Sequence, residues 1–136
     1  MQVTPSSVTD WDFDGNAVAL RGDDLFVLTR TRTLEAYSTH SGRRLHSWPV
    51  RKGATNLAVG PGLVAYAEFP SGPAACCTRY KVHVVRLATG KDVVLAAGTD
   101  FTGQRNVALG PAGLVYLKDP RTLVFVPLSR VRAAVS

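Results

Sequence analysis

The fold is decided by the stretch NAVALRGDDLFVL, residues 16–28. Two short runs of apolar residues flank the polar segment Arg21–Asp24, which contains the glycine that a chain reversal favours. Short apolar runs bounded by glycine and aspartate predict two antiparallel strands joined by a tight turn. We therefore take this stretch as a β-hairpin and look for it elsewhere in the chain.

The same hairpin pattern occurs twice more, as NLAVGPGLVAY at residues 56–66 and NVALGPAGLVYL at residues 106–117. The leading asparagines stand at positions 16, 56 and 106, at intervals of 40 and 50 residues. In the first two copies a third and a fourth strand follow the hairpin, on either side of turns at Gly42 and Gly90. The unit that repeats is therefore predicted to contain four consecutive strands.

These repeats predict one domain over residues 1–136, with units at about 16–50, 56–96 and 106–136. The third unit has room for three strands only. A separate strand is predicted at Val8–Phe13, before the first unit. The loop Pro70–Tyr80 holds most of the extra residues of the second unit, and we expect it to be the longest and least ordered loop.

A four-stranded repeat of about 40 to 50 residues is typical of a β-propeller blade. With third strands that end in turns such as Ser41-Gly42-Arg43 and Thr89-Gly90-Lys91, the chain resembles bacterial WD40-like and pyrroloquinoline-quinone (PQQ)-type propeller repeats. The resemblance implies an all-β fold of antiparallel four-stranded sheets arranged as consecutive blades. Three blades would form a partial propeller.

Composition narrows the classes of partner. With 46% hydrophobic and 19% charged residues, the chain is expected to form a packed core. Its net charge of +6 is spread over small pairs such as Arg43 and Arg44, without the basic stripe of a nucleic-acid reader. Met1–Asp10 lacks the pattern of a signal peptide, and no apolar run has the length of a membrane span. We expect neither nucleic acid nor membrane as a partner, and the compartment stays open.

One segment resembles the start of a calcium-binding loop. Asp10, Asp12 and Asp14 alternate ahead of Gly15, a spacing that can direct carboxylates at one cation. Positions nine and twelve of that pattern hold Val18 and Arg21, where oxygen ligands are needed. The three aspartates are therefore a weak candidate for a metal site at most. The alternative is a strand that carries these aspartates on its solvent-exposed face and ends in an Asp-Gly turn.

The chain has two cysteines, Cys76 and Cys77, and they are adjacent. Neighbouring cysteines cannot join distant strands, so three interpretations stay open: free thiols in a loop, a vicinal disulfide, or a metal or catalytic role. His40, His46 and His83 are predicted in a turn and two strands, as surface or half-buried side chains.

No motif of a known catalytic or cofactor site occurs in the chain, so no catalytic residue, cofactor or metal is predicted. The favoured function is a non-catalytic binding or scaffolding module. The alternative is a non-catalytic part of a longer propeller-containing enzyme, such as a quinoprotein dehydrogenase or a peptidase. Whether the chain belongs to an enzyme stays open, and the residues favour that it does not.

The expected partner is a protein or a second copy of the chain. Two copies related by a two-fold axis would form a six-bladed ring, with Val8–Phe13 of one copy adding a strand to the other. Within each copy, the strands that begin at the three asparagines are expected to lie innermost. Val18, Ala58 and Ala108 should then be packed, while Arg43 and Lys91 should be exposed.

Overall fold

The computed structural model describes residues 15–51, 53–69, 78–100 and 106–136. Over these ranges the chain forms eleven strands and one short helix. In chain order they are β1 Gly15–Arg21, β2 Asp24–Thr29, β3 Thr33–Ser38, β4 Arg44–Pro49, β5 Ala54–Gly60, β6 Leu63–Glu68, β7 Thr78–Arg86, β8 Lys91–Asp100, β9 Val107–Leu109, β10 Gly113–Asp119, β11 Thr122–Pro127 and α1 Leu128–Ala134.

The strands form three antiparallel sheets in chain order: sheet A (β1 to β4), sheet B (β5 to β8) and sheet C (β9 to β11). Each strand pairs with its neighbours in the sequence, as expected for hairpins joined in series. The prediction of an all-β fold built from antiparallel sheets is confirmed. The short helix α1, which follows the third strand of sheet C, was not predicted.

The first two repeated hairpins begin with an irregularity in their pairing. The register between β1 and β2 shifts between Gly15 and Ala17, and that between β5 and β6 shifts between Thr55 and Ala58. Asn56, inside the second shift, has φ 56°, a left-handed conformation that asparagine tolerates better than most residues. A bulge of this kind bends the strand that contains it, which gives Asn56 a structural reason.

The sheets are stacked with sheet B in the middle, and each interface has an apolar core. Ala17 and Ala19 of β1 also pack against the core between sheets A and B. Its buried residues are Phe26, Leu28, Leu34, Ala36, Trp48, Ala54, Leu57, Val64, Tyr66 and Val85. The core on the other face of sheet B consists of Leu63, Ala65, Ala67, Phe69, Tyr80, Val82, Val84, Val107, Leu114, Val131 and Val135.

Two aromatic side chains, Trp48 and Tyr80, also connect neighbouring sheets by hydrogen bonds. The indole Nε1 of Trp48 in β4 donates to the carbonyl oxygen of Leu87, 3.2 Å away, beyond the end of β7. The hydroxyl of Tyr80 in β7 donates to the carbonyl oxygen of Leu117 in β10. Sheet B is thereby joined to both of its neighbours at polar as well as apolar contacts.

The helix α1 packs against sheet C and β8. Val131 of the helix and Val135, just beyond its last residue, are buried in the core between sheets B and C. The Lys91 ammonium donates to the main-chain oxygen of Ser136 at 2.7 Å, which links β8 to the segment after the helix. The helix therefore contributes apolar side chains to the core after the last strand of sheet C.

The predicted burial of side chains on β1, β5 and β9, the first strands of the three sheets, was partly wrong. Val18 is 60% exposed and Ala108 is also exposed, so the prediction that they are packed was wrong, while Ala58 is partly buried. The reason is the pleat, since successive side chains of a strand point to opposite faces. In β1 the alanines on either side of Val18 face sheet B, and Val18 faces away. Arg43 and Lys91 are exposed, as predicted.

Several predicted features lie outside the described residues, namely the strand Val8–Phe13, the three aspartates at 10, 12 and 14, and most of the loop Pro70–Tyr80. The end of that loop was predicted wrongly, because β7 already begins at Thr78. Tyr80 is buried in the core between sheets B and C, and its ring stacks on that of Phe69. The need to bury this aromatic ring explains why the strand starts early.

Gly98 in β8 provides a test of how tightly sheets B and C pack. A Cβ atom at this position would collide with the carbonyl oxygen of Leu117 and approach the Tyr80 ring to 2.9 Å. We expect Gly98→Ala to lower the free energy of unfolding by about 1 to 3 kcal/mol, measured by urea denaturation. Gly110→Ala is the control, because no atom lies within 4 Å of a Cβ there. Equal stability of the two variants would contradict the described packing.

Candidate functional site

The residues singled out from the sequence fall into two groups in the structure. Asp10, Asp12, Asp14, Cys76 and Cys77 lie outside the described residues, so the structure does not place them together or apart. The histidines can all be placed, and they differ from one another. His40 is exposed in the turn after β3, with Nε2 3.2 Å from an Asp23 carboxylate oxygen, and His46 is exposed on β4.

His83 is buried, with 3% of its surface exposed, so the prediction of a surface or half-buried side chain was wrong. Its Nδ1 lies 2.7 Å from Oδ1 of Asp92, and its Nε2 lies 2.6 Å from Oε1 of Glu68. The Tyr66 ring stacks on the imidazole, with centroids 4.6 Å apart and planes 8° from parallel. The Tyr66 hydroxyl donates to the second oxygen of Asp92. We call Tyr66, Glu68, His83 and Asp92 the buried quartet, after its two buried rings, since the two carboxylates are partly exposed.

Three neighbouring strands bring the quartet together. Tyr66 and Glu68 are two residues apart on β6 and so lie on one face of the sheet. The pairing of β6 with β7 sets His83 directly opposite Tyr66. Asp92 follows on β8, where a register shift at His83 adjusts the pairing of the two strands. The quartet therefore lies on the face of sheet B that packs against sheet A.

Two opposing effects act on the pKa of His83. Burial lowers it, but the hydrogen bonds and negative charges of Asp92 and Glu68 outweigh burial, so the pKa is raised above its ordinary value. Burial and the hydrogen bond to Asp92 also raise the pKa of Tyr66, which keeps the phenol protonated. The carboxylates beside both ring nitrogens favour the protonated form of His83, which can donate a hydrogen bond from each nitrogen.

The geometry of the quartet suits cross-linking of strands. A histidine that acts as a general base needs one nitrogen directed at the reacting group, and a metal ligand needs a free lone pair. Both nitrogens of His83 are hydrogen-bonded to carboxylates instead. The backbone N–H of Arg51 donates to the Tyr66 hydroxyl at 3.4 Å. The quartet is therefore also bonded to the segment that connects β4 of sheet A to β5 of sheet B. Among the described residues, no three His, Cys, Asp or Glu side chains are arranged to hold a metal ion.

A second candidate region is the groove along the first strand of each sheet. Strand β5 lies between β1 and β9, and the three enclose a groove of about 320 Å³. The side chains that line it are mainly apolar: Val18, Ala19, Leu20, Leu57, Ala58, Val59, Val107, Ala108 and Leu109. This volume is at the lower end of the range for ligand pockets, about 300 to 1,000 Å³. The groove is open, and it has the chemistry of a surface for apolar groups.

The third candidate region is the pair of sheet faces that point away from sheet B. On sheet A, the large apolar side chains Val18 and Leu20 of β1 are 60% and 67% exposed, whereas Val27 of β2, which pairs with Val18 on the same face, is fully buried. On sheet C, Leu123 and Phe125 are 68% and 55% exposed. We call these surfaces the free face of sheet A and the free face of sheet C. Clustered apolar side chains of this size are typical of surfaces that contact another molecule.

Comparison with known proteins gives no relative: no protein-family model matches the chain, and no curated protein is similar to it. Within the described residues, no helix is long and apolar enough to cross a membrane.

The buried quartet predicts that stability depends on pH. The pKa of His83 is raised in the folded state, so its contribution is fully present below about pH 6.5, the ordinary pKa of histidine, and is lost as the pH rises through the folded value. A neutral imidazole has a single N–H, so one carboxylate loses its donor. We expect the free energy of unfolding, measured in urea from about pH 5.5 to about pH 9, to fall across that range.

Two variants separate this effect from other titrations. In Glu68→Gln, the side-chain amide can donate to a neutral imidazole, so the fall in stability with pH should become shallower. His46→Gln is the matched control, because this histidine is exposed on β4 and lies outside the quartet. An unchanged slope for Glu68→Gln, or an equal change for His46→Gln, would show that the quartet is not the source.

Proposed function

We propose that the chain is a propeller-type repeat module that binds or scaffolds protein surfaces and performs no reaction of its own. The proposal rests on one observation above all. The two outer sheets of a three-sheet stack each present large apolar side chains to solvent on the face that points away from the stack.

The stacking of the sheets supports the propeller part of the proposal. In a propeller, four-stranded antiparallel sheets are arranged radially around a central channel. Sheets A and B each have four strands in simple up-and-down order, and their neighbouring faces are packed together. The first strands of the three sheets, β1, β5 and β9, lie side by side. This is the arrangement expected of three consecutive blades with their inner strands around an axis.

The binding part of the proposal is supported by the free energy that burial of the exposed apolar side chains would contribute to binding. Burying one large aliphatic or aromatic side chain contributes about 1.5 to 3 kcal/mol. Leu20 and Phe125 are each more than half exposed, so most of this contribution is available to a partner. Their flanking strands are held by hydrogen bonds within the sheets, so the surfaces are formed before any partner arrives. A preformed surface loses less entropy on binding.

The buried quartet supports a non-catalytic role for its own residues. His83 has the chemistry most often used for proton transfer, yet both of its nitrogens are bonded to carboxylates within sheet B. Its role in this arrangement is to cross-link strands β6, β7 and β8 of sheet B.

The alternative function also agrees with the free faces. In a longer propeller-containing enzyme, such as a quinoprotein dehydrogenase or a peptidase, further blades of the same chain would cover them. The chain would then be a non-catalytic part of that enzyme. In this alternative the free faces pack within one polypeptide and bind no separate protein.

Site-specific photo-cross-linking tests the binding proposal. We expect a photoreactive phenylalanine analogue at Leu20 or Phe125 to form discrete protein adducts in the cell of origin, seen as bands of higher mass. Val94 of β8 is the control position, because it is 54% exposed but lies on sheet B, outside both free faces. Absence of adducts at both free faces, or the same adducts at Val94, would contradict the proposal.

A further inference from the structure

We infer that a cleft between the end of sheet B and the helix α1 binds a small organic anion, one that carries a carboxylate or phosphate group on an apolar body. The cleft has a volume of about 440 Å³, and ligand pockets usually measure about 300 to 1,000 Å³. It lies where sheets B and C meet, whereas the free faces point away from sheet B. We call it the basic cleft, after Arg86 and Arg132 in its lining.

Sheet B and the helix α1 each place one arginine in the basic cleft. Arg86 is the last residue of β7 and pairs with Leu63 of β6. Leu63 is buried in the core between sheets B and C, so the side chain of Arg86 lies on the face of sheet B that is directed towards sheet C. Arg132 lies in the last turn of α1, next to the buried Val131. Packing of the helix on the sheet therefore brings the two guanidinium groups to one cleft.

The segments that form the basic cleft carry positive charge only. They contain no Asp or Glu, and they are residues 60–63, 86–91 and 128–136. In the part of the chain that the structure describes, no ion pair joins Arg86 or Arg132 to a carboxylate. Arg44 of sheet A shows the contrast, because its guanidinium lies 3.3 Å from a carboxylate oxygen of Glu35. The counter-charge for the basic cleft therefore has to come from a bound anion.

Repulsion within sheet B also favours an anion in the basic cleft. Arg86 lies directly opposite Lys91 in the pairing of β7 with β8, and like charges in this position destabilise a sheet. The Lys91 ammonium donates to the main-chain oxygen of Ser136 at 2.7 Å, so this cation is held beside the wall that Ser136 forms. An anion bound at Arg86 offsets the repulsion between the two cations.

The guanidinium group determines which anions fit. It presents five N–H donors in a fixed fork, which matches two oxygens of a carboxylate or phosphate group. Apolar side chains complete much of the lining, namely Pro61, Leu63, Ala88 and Val135. Such side chains offer contacts to the carbon atoms of a ligand, and a pocket with a few polar groups in an apolar lining is the usual form of a small-molecule site. The ligand class is therefore an amphiphilic carboxylate or phosphate monoester.

Titration of the ¹⁵N-labelled protein at low ionic strength, followed by nuclear magnetic resonance, tests the site with two probes. Phenyl phosphate represents phosphate monoesters, and phenylacetate represents carboxylates. We expect saturable shifts of the backbone amides of Gly62, Ala88 and Val135 with at least one probe, and the tighter probe identifies the anionic group. No saturable shift at these amides with either probe would overturn the site.

Two further compounds test the two parts of the ligand. Benzylamine has the same ring with a positive charge, and it should give no saturable shift. Inorganic phosphate lacks the apolar body and should bind at least about tenfold more weakly than phenyl phosphate. Binding of benzylamine would overturn the role of the arginines, and equal binding of inorganic phosphate would overturn the assignment to amphiphilic anions.

Variants of the two arginines connect binding to the basic cleft. Arg86→Gln and Arg132→Gln should each raise the Kd of the tighter probe by about tenfold or more, because each removes a charge-assisted hydrogen-bond donor. Arg86→Lys keeps the charge but loses the fork, so its Kd should lie between those of the wild type and Arg86→Gln. Arg43→Gln is the matched control, because Arg43 is exposed in the turn after β3, outside the basic cleft.

Circular dichroism checks that the variants fold, and Arg86→Gln should be at least as stable as the wild type, since it removes the repulsion with Lys91. An unchanged Kd in both glutamine variants of the cleft, or an equal rise in Arg43→Gln, would overturn the inference. The cross-linking experiment at Leu20 and Phe125 probes other surfaces, so its result and that of the titration are independent.

Discussion

Coverage of sheet B on both faces is the constraint on which the rest of the structure depends. Strand β6 buries five consecutive residues, Leu63 to Ala67, so the usual alternation of buried and exposed side chains is lost. One set of these side chains packs towards sheet A and the other towards sheet C. Sheets A and C each pack one face on sheet B. Alternation persists in β3 and β11, whereas β2 buries Phe26, Val27 and Leu28 in succession. The exposed side chains that the proposed binding function uses are Val18, Leu20, Leu123 and Phe125.

The buried quartet shows how sheet B accommodates polar groups although both of its faces are covered. A buried charge is costly unless it is paired and hydrogen-bonded, and Glu68 and Asp92 provide both conditions for the protonated form of His83. The Tyr66 ring covers one face of the imidazole and directs its hydroxyl to Asp92. Because the partners come from three strands, the network also fixes the registers of β6, β7 and β8.

The two polar contacts between sheets have a similar effect on the stack. Trp48 reaches from β4 to the turn after β7, and Tyr80 reaches from β7 to β10. Each combines a large apolar side chain in the core with a directional hydrogen bond at its tip. Apolar packing alone is not directional, whereas these bonds specify how one sheet sits on the next. A stack with defined geometry can present its free faces in a fixed relation, as a scaffold requires.

The sequence by itself determined the hairpins, their turns and the succession of four, four and three strands, because these depend on residues close together in the chain. Tertiary structure alone decided which face of each strand is covered. Val18 is exposed because the pleat directs its neighbours Ala17 and Ala19 to sheet B, and neither composition nor spacing reports that choice. The sequence also did not predict the partners of His83. Glu68 lies fifteen residues away along the chain and contacts His83 only because of the register between β6 and β7. Pairing across strands, with a register shift at His83 itself, is a property of the folded sheet.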